Sequence, residues 1–295
     1  MYIDPKGGRW YKGNLHAHST LSDGALAFDE VVKMYRQAGY DFLAVTDHWI
    51  PSETVEDPDF LLLAGCEYDA VRREQYYKRQ RDIRYDINGI GFTLPPQVEQ
   101  NAGWDGQMIV DAILKAGGLA FYNHPAWLRN RAEDILPIEG LSGIEIYNTF
   151  TGMAPHFTLP YSGPVLDELA FGGKLLPAIA TDDPHDYQGE QLKSYILLNA
   201  ASLCYQDVME ALRQGKFLAT QGPWLSVAVH DSVVYVETTP VACVRLISDS
   251  WMSCQRTGEG ITALEFPIPA DASYIRVEAE DEQGRTAWSS PIALQ

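Results

Sequence analysis

The sequence predicts an α/β chain with a small all-β tail, and three observations carry that reading. Short continuous apolar runs alternate with helical patterns over roughly the first two-thirds of the chain, the mark of a parallel sheet covered by helices. Seven such runs can be counted, which suggests a barrel or something near one, with an open sheet as the alternative. Near Gly215 the texture changes to alternating apolar and polar residues with turn residues between them. That pattern reads as an antiparallel sandwich of roughly 80 residues. The expected division is 1–216 for the α/β unit and 217–295 for the β unit.

Taken in order, "YKGNLHAH" reads as the first strand. "ALAFDEVVKMYRQAG" reads as an amphipathic helix with Asp23 near its start and Gly39 near its end. "YDFLAVTDH" and "FLLLAGCEYD" are buried strands, and "VRREQYYKRQRDIRYDINGIGF" is charged and aromatic, an insertion with a hairpin. Helix "GQMIVDAILKAGG" leads to strands "LAFYNHP" and "SGIEIYN". Helix "PVLDELAFGG", strands "LLPAIATDDPH" and "SYILLNA", and helix "YQDVMEALRQG" complete the alternation. The tail then offers "FLATQGPWLSVAV", "VVYVETT", "VACVRLIS", "ALEFPI", "SYIRVEAEDEQG" and "TAWSSPIAL".

Composition narrows the partners. Forty acidic residues against 22 basic ones give a formal charge of −18. That field repels nucleic acid and anionic lipid, so neither is expected as a partner, whereas bound cations would partly neutralise clustered carboxylates. The first residues have no apolar signal core, and no apolar run approaches the ~20 residues of a membrane span. A cytoplasmic protein is expected, with reduced thiols at Cys66, Cys204, Cys243 and Cys254; a Cys243–Cys254 bridge would require export. No Walker loop or G-x-G-x-x-G fingerprint occurs.

Ionisable residues collect where the predicted strands end: His16 and His18, Asp47 and His48, Glu67, His124, and Asp183 with His185. The C-terminal ends of barrel strands converge on the active-site face, so five strands ending this way point to one site. Residues i and i+2 of a strand share a face. His16 with His18, and Asp183 with His185, could therefore each reach one ion together. Asp47 and His48 should point apart, His48 as ligand and Asp47 as the group that orients a ring. Asp23 lies just beyond the first strand, where a loop could return it over the site. Imidazole and carboxylate without thiolate suit Zn, Mn, Fe or Ni. The set exceeds one ion's needs, which implies two or three divalent ions about 3.5–4 Å apart, with Glu67 as bridge.

The motifs "HAHSTLSDG", "TDH", "GCEYD", "NHP" and "TDDPH", in that order, resemble the polymerase-and-histidinol-phosphatase (PHP) superfamily. The resemblance covers roughly Gly13 to Gln221. It implies a distorted (β/α)7 TIM-like barrel with up to three metals. It implies His16, His18, Glu67 and Asp183 around one ion, Glu67 and His124 around a second, and Asp23, His48 and His185 around a third. Asp183 fits the D-x-H spacing and Asp182 does not. One departure stands out: "DINGIG" places Asp86 where the family often has a histidine, which either makes a harder oxygen site favouring Mn or Mg or weakens the second ion. The C-terminal stretches look like the PHP branch with a trailing β-sandwich, which includes a carbamate-ester hydrolase.

Three further residues are candidates for contact with substrate. Arg129 and Arg131 of "NHPAWLRNR" could hold a phosphate through forked hydrogen bonds, or form a solvated loop face. His156 of "TGMAPH" could act as an acid. Trp224, Trp251 and Trp288 read as core or interface, and His230 as inert. The expected reaction is hydrolysis of a phosphate ester on a small molecule, with a metal-bridging hydroxide as nucleophile. The rival expectations are a carboxylic or carbamate ester at the same cluster, and a non-catalytic metal-stabilised binding protein.

Overall fold

The computed structural model describes residues 1–76, 78–100, 103–155, 159–251 and 254–294. The predicted helices form at Phe28–Gln37, Gly106–Lys115, Gly163–Phe171 and Tyr205–Arg213. Their ends have local causes. Asp105 accepts the backbone N–H of Met108 at 2.9 Å to start one helix. Gly39 sits at φ 79 just past the end of another, a conformation that needs no Cβ penalty. Each helix buries one stripe, for example Ile109, Val110 and Ile113 in the second. Full burial of such a side chain contributes roughly 1.5–3 kcal/mol.

The strands form two sheets. In the first, Arg9–Asn14, Phe42–Ala44 and Phe60–Leu63 run parallel. In the second, Leu119–Tyr122, Leu141–Asn148 and Ala178–Thr181 run parallel. The short apolar strands are buried on both faces, as expected of a sheet covered on both sides. A core lies between the sheets, where Leu15, Phe42 and Leu63 of one pack with Ile90, Phe121 and Ile179 of the other.

Two expectations need correction. The sheets are not closed into a barrel. The seams are crossed by scattered backbone contacts that form no continuous ladder. They include an isolated bridge between His48 and Glu67, and the N–H of Asp183 donating to His16 O at 3.1 Å. The segments that would have to pair there carry the polar residues of the site, and their backbones leave the ladder. The sheets are also mixed. The expected strand "FLLLAGCEYD" divides at Ala64, its first half pairing in one sheet and its second half in the other. Gly65–Tyr76 then forms a long antiparallel hairpin with Arg79–Ile90, so the "insertion" is part of the sheet. A hairpin needs no crossover helix, which is why the β/α alternation lapses here.

The C-terminal strands are antiparallel around the long strand Val233–Ser248, which pairs with Leu225–His230, Cys254–Pro267 and Tyr274–Glu280. Phe217–Thr220, at the expected junction, pairs with Tyr195–Leu198 on one side and Thr286–Trp288 on the other. Hydrogen bonding therefore runs unbroken from the first sheet into the tail. Arg276, 1% exposed, adds a latch: its guanidinium donates to both oxygens of Asp167, on helix Gly163–Phe171, at 2.6 and 2.7 Å. Trp224 and Trp288 are buried, and Trp288 stacks on Tyr147; Trp251, expected in a core or interface, is 87% exposed. All four cysteines are free thiols. Among the described residues no helix is long and apolar enough to cross a membrane.

Candidate metal centre

His16 and His18 follow the strand Arg9–Asn14 and are fully buried. Their Nε2 atoms lie 3.2 Å apart. Each lies 3.2 Å from Glu67 Oε2 and 3.1 Å from Asp183 Oδ1. Asp183 Oδ1, although buried, takes part in no well-aligned hydrogen bond. Neighbouring ligands on a tetrahedral ion at 2.0–2.1 Å are separated by roughly 3.3–3.4 Å, so the spacing and donor types of the His16, His18 and Glu67 atoms fit a divalent cation.

Two further groups flank this one. Glu67, Asp86 and His124 each bring one ligand atom within 4.8 Å of the others. His124 Nε2 is 3.6 Å from Glu67 Oε1, and its Nδ1 is buried without a partner. On the open side, Asp23 Oδ2 lies 3.5 Å from His185 Nε2 and 3.7 Å from His48 Nε2. His48, His18, His185 and Phe150 form a column of stacked rings with centroids 4.7, 4.3 and 4.1 Å apart. His185 Nδ1 sits 3.0 Å from the backbone oxygen of Asp183, which leaves Nε2 to face Asp23.

The backbone is strained where it delivers these groups. His124 and Asp183 have φ of 26 and 52, values that side chains other than glycine rarely adopt. Such conformations persist when the surroundings over-determine them, and they cluster at functional sites. Here the His124 N–H donates to Glu145 Oε2 at 2.8 Å and the Asp183 N–H to His16 O.

Carboxylates outside the three groups hold the frame. Asp47 accepts from the backbone N–H and hydroxyl of Ser19 and from the hydroxyl of Ser22, at 2.8, 2.6 and 2.7 Å. It fastens the loop that carries Asp23, in place of the ring-orienting role expected of it. Glu145 faces a ring instead, with Oε1 2.7 Å from His16 Nδ1. Sequence reasoning missed Glu145. Its one signal was a charge in the middle of the apolar strand "GIEIY", and the structure buries it fully.

The electrostatics are those of crowded carboxylates awaiting positive charge. Burial alone would lower the pKa of His18 and His124; carboxylates, Asp183 and Glu67 at His18 and Glu67 first at His124, reverse this and raise both to about 9. His16 is raised in the same way, chiefly by Asp183 and Glu67. Burial would raise Glu67 and Asp183, yet the imidazoles, led by His16 in both cases, hold them below the usual carboxylate range. Asp86 is the exception: burial and then the charge of Glu67 push it up to about 7. In the metal-free chain, protons on imidazole supply the charge that a cation would otherwise bring.

The centre opens into a cleft of about 400 Å³, whose wall adds Trp127, Phe150, Thr151 and Asp186 to the residues named from sequence. Arg129 and Arg131 are exposed and do not line it; Arg131 pairs with Glu133 at 3.2 Å. His156 lies outside the described residues. Asp182 turns away from the cleft and accepts the backbone N–H groups of Leu192, Lys193 and Ser194.

A two-domain protein of Bacteroides vulgatus containing a predicted PHP-like metal-dependent phosphoesterase matches with TM-score 0.53 and 14% identity, covering 100% of this chain and 98% of that one. An amidohydrolase of Chromobacterium violaceum matches with TM-score 0.38 and 17% identity, over 60% of this chain and 89% of that one. The DNA polymerase/3'-5' exonuclease PolX of Bacillus subtilis is 49% identical over 37 residues, 12% of this chain. The match spans only 6% of that relative's length. No family model matches. The full-length match shows a fold shared with the Bacteroides protein. Taken with the motif order, it identifies the chain as PHP-like in fold.

Proposed function

We propose that this chain is a metal-dependent hydrolase of phosphate esters on small molecules. The observation that carries the reading is that His16 Nε2 and His18 Nε2, 3.2 Å apart, each lie 3.2 Å from Glu67 Oε2 and 3.1 Å from Asp183 Oδ1 beneath an open cleft. In this reading those four hold one ion; Glu67, Asp86 and His124 a second; and Asp23, His48 and His185 a third, with Mn, Zn or Fe as the metals that suit such donors. Bound there, divalent ions would bring the pKa of a water towards neutrality and polarise the phosphoryl oxygens.

The chain's own residues do the remaining work. Glu67 reaches the first two groups with its two oxygens, 3.2 Å from His16 and 3.6 Å from His124. Trp127 and Phe150 supply apolar wall against which a leaving group can lie. Arg129 and Arg131 stay as candidates for contact with a substrate that extends beyond the cleft, and His156 as a candidate acid. Every residue of the site falls within 1–216, which we take as the hydrolase unit, with 217–295 as an accessory unit. The likeness to the Bacteroides protein in fold, and what its name says of it, support the reaction class.

The test is substrate profiling with added Mn or Zn. Turnover of p-nitrophenyl phosphate or bis-p-nitrophenyl phosphate, lost in His16→Ala, is the expected result. Turnover of carboxyl or carbamate esters alone would replace the reading with its rival. Metal-loaded protein that cleaves none of them would favour a binding role.

A further inference from the structure

We propose that Glu145 is a positioning residue that couples the first two groups of the centre and leaves the third independent. The proposal rests on the metal-binding reading above and goes beyond it, because Glu145 does not line the cleft and belongs to none of the three ligand sets. Its side chain is fully buried on strand Leu141–Asn148. Each oxygen faces two donors. Oε1 lies 2.7 Å from His16 Nδ1 and accepts the Thr181 hydroxyl at 2.6 Å. Oε2 accepts the N–H of His124 at 2.8 Å and the Asn148 amide at 2.9 Å. That amide also donates to Asp183 Oδ2 at 3.0 Å.

Four donors fill the four lone-pair sites of a carboxylate, so no lone pair is left for an ion even though His16, His124 and Glu145 come together closely enough to suggest one. What remains is orientation. With Nδ1–H given to Glu145, the Nε2 of His16 is the atom presented to Glu67, Asp183 and His18. Through Oε2 the same side chain holds the His124 backbone at its strained φ of 26. Among the described residues no contact is recorded between Glu145 and Asp23, His48 or His185.

The experiment compares wild-type, Glu145→Gln and Asp23→Ala full-length chains for Zn or Mn binding by calorimetry, with anomalous scattering to give the occupancy of each group. The Glu145→Gln change keeps the shape of the side chain but replaces one acceptor oxygen with a donor. The expected result is affinity about 10–100-fold weaker at the first and second groups, the usual scale for loss of such a partner, with the third unchanged. Asp23→Ala should show the opposite pattern. Uniform weakening of all three groups, or wild-type affinity at the first two, would overturn the proposal. A measurement on the wild type guards against a variant that fails to fold: in metal-free protein labelled with ¹⁵N-histidine, His16 Nδ1–H should give a slowly exchanging, strongly downfield proton, and its absence would also overturn the proposal. Because binding rather than turnover is read, a chain that holds ions yet cleaves no phosphate ester would defeat the proposed function while leaving the role of Glu145 intact.

Discussion

Asp182 and Asp183 are adjacent in the chain and serve opposite faces of it. Asp183 Oδ1 lies 3.1 Å from the Nε2 atoms of His16 and His18, while Asp182 Oδ2 accepts the hydroxyl of Tyr35 at 2.8 Å. Asp182 also receives three backbone N–H groups of the 192–194 loop, and burial is the main cause of a pKa raised to about 6. The two positions should therefore separate in mutagenesis. Asp183→Asn is expected to abolish metal binding at the first group while the protein stays folded. Asp182→Ala strands several donors and should cost roughly 2–4 kcal/mol of stability. Denaturant unfolding and elemental analysis of both variants check this pair of outcomes.

Metal binding should release protons. His18 and His124, ordinarily near 6.5, are raised to about 9 in the metal-free chain, so near neutral pH a cation must displace protons from them. Affinity for Zn or Mn should rise with pH up to about 9. Calorimetry in buffers of different ionisation enthalpy measures the proton count directly. The stability of the metal-free chain has the opposite slope. A folded pKa above the unfolded value stabilises fully below about 6.5, and that stabilisation is lost as pH rises through about 9. Metal-free protein should thus melt progressively lower between those values, and metal-loaded protein should not. A melting temperature of the metal-free chain that is flat over this range would contradict the charge assignment.

Phe150 stacks on His185 at 4.1 Å and closes one end of the histidine column. Removing it in Phe150→Ala frees the His185 ring, and the third group should lose about tenfold in affinity, the lower end of the range for loss of a partner that orients a ligand. Phe150→Tyr should restore the stack and the affinity. Equal affinity in the alanine variant would show that His18 and the Asp183 backbone oxygen suffice to orient His185.

What was legible in the sequence followed from local chemistry. Helices appeared where apolar residues kept helical spacing, as at Ile109, Val110 and Ile113. His16 and His18 came together because alternate residues share a face, and their neighbours converged because sheet strands end at one rim. What was not legible depended on pairing at a distance. The hairpin in the charged segment was legible, but nothing local says that it begins at Gly65, joins the sheet and leaves the sheets unclosed. The role of Asp47 was misjudged because its partners, Ser19 and Ser22, lie on another segment. Glu145 was missed for the same reason: its donors come from His16, His124, Asn148 and Thr181, and only the fold assembles them.

The central claim is that divalent ions at the His16, His18, Glu67 and Asp183 cluster drive phosphate-ester cleavage. Its most direct test is the rate of p-nitrophenyl phosphate hydrolysis as Mn or Zn is titrated into metal-stripped wild-type and Glu67→Ala protein. The wild type should be inactive when stripped, gain activity with added metal and saturate at two or three equivalents, while Glu67→Ala stays inactive throughout. Full activity in metal-stripped protein, or in Glu67→Ala, would contradict the account.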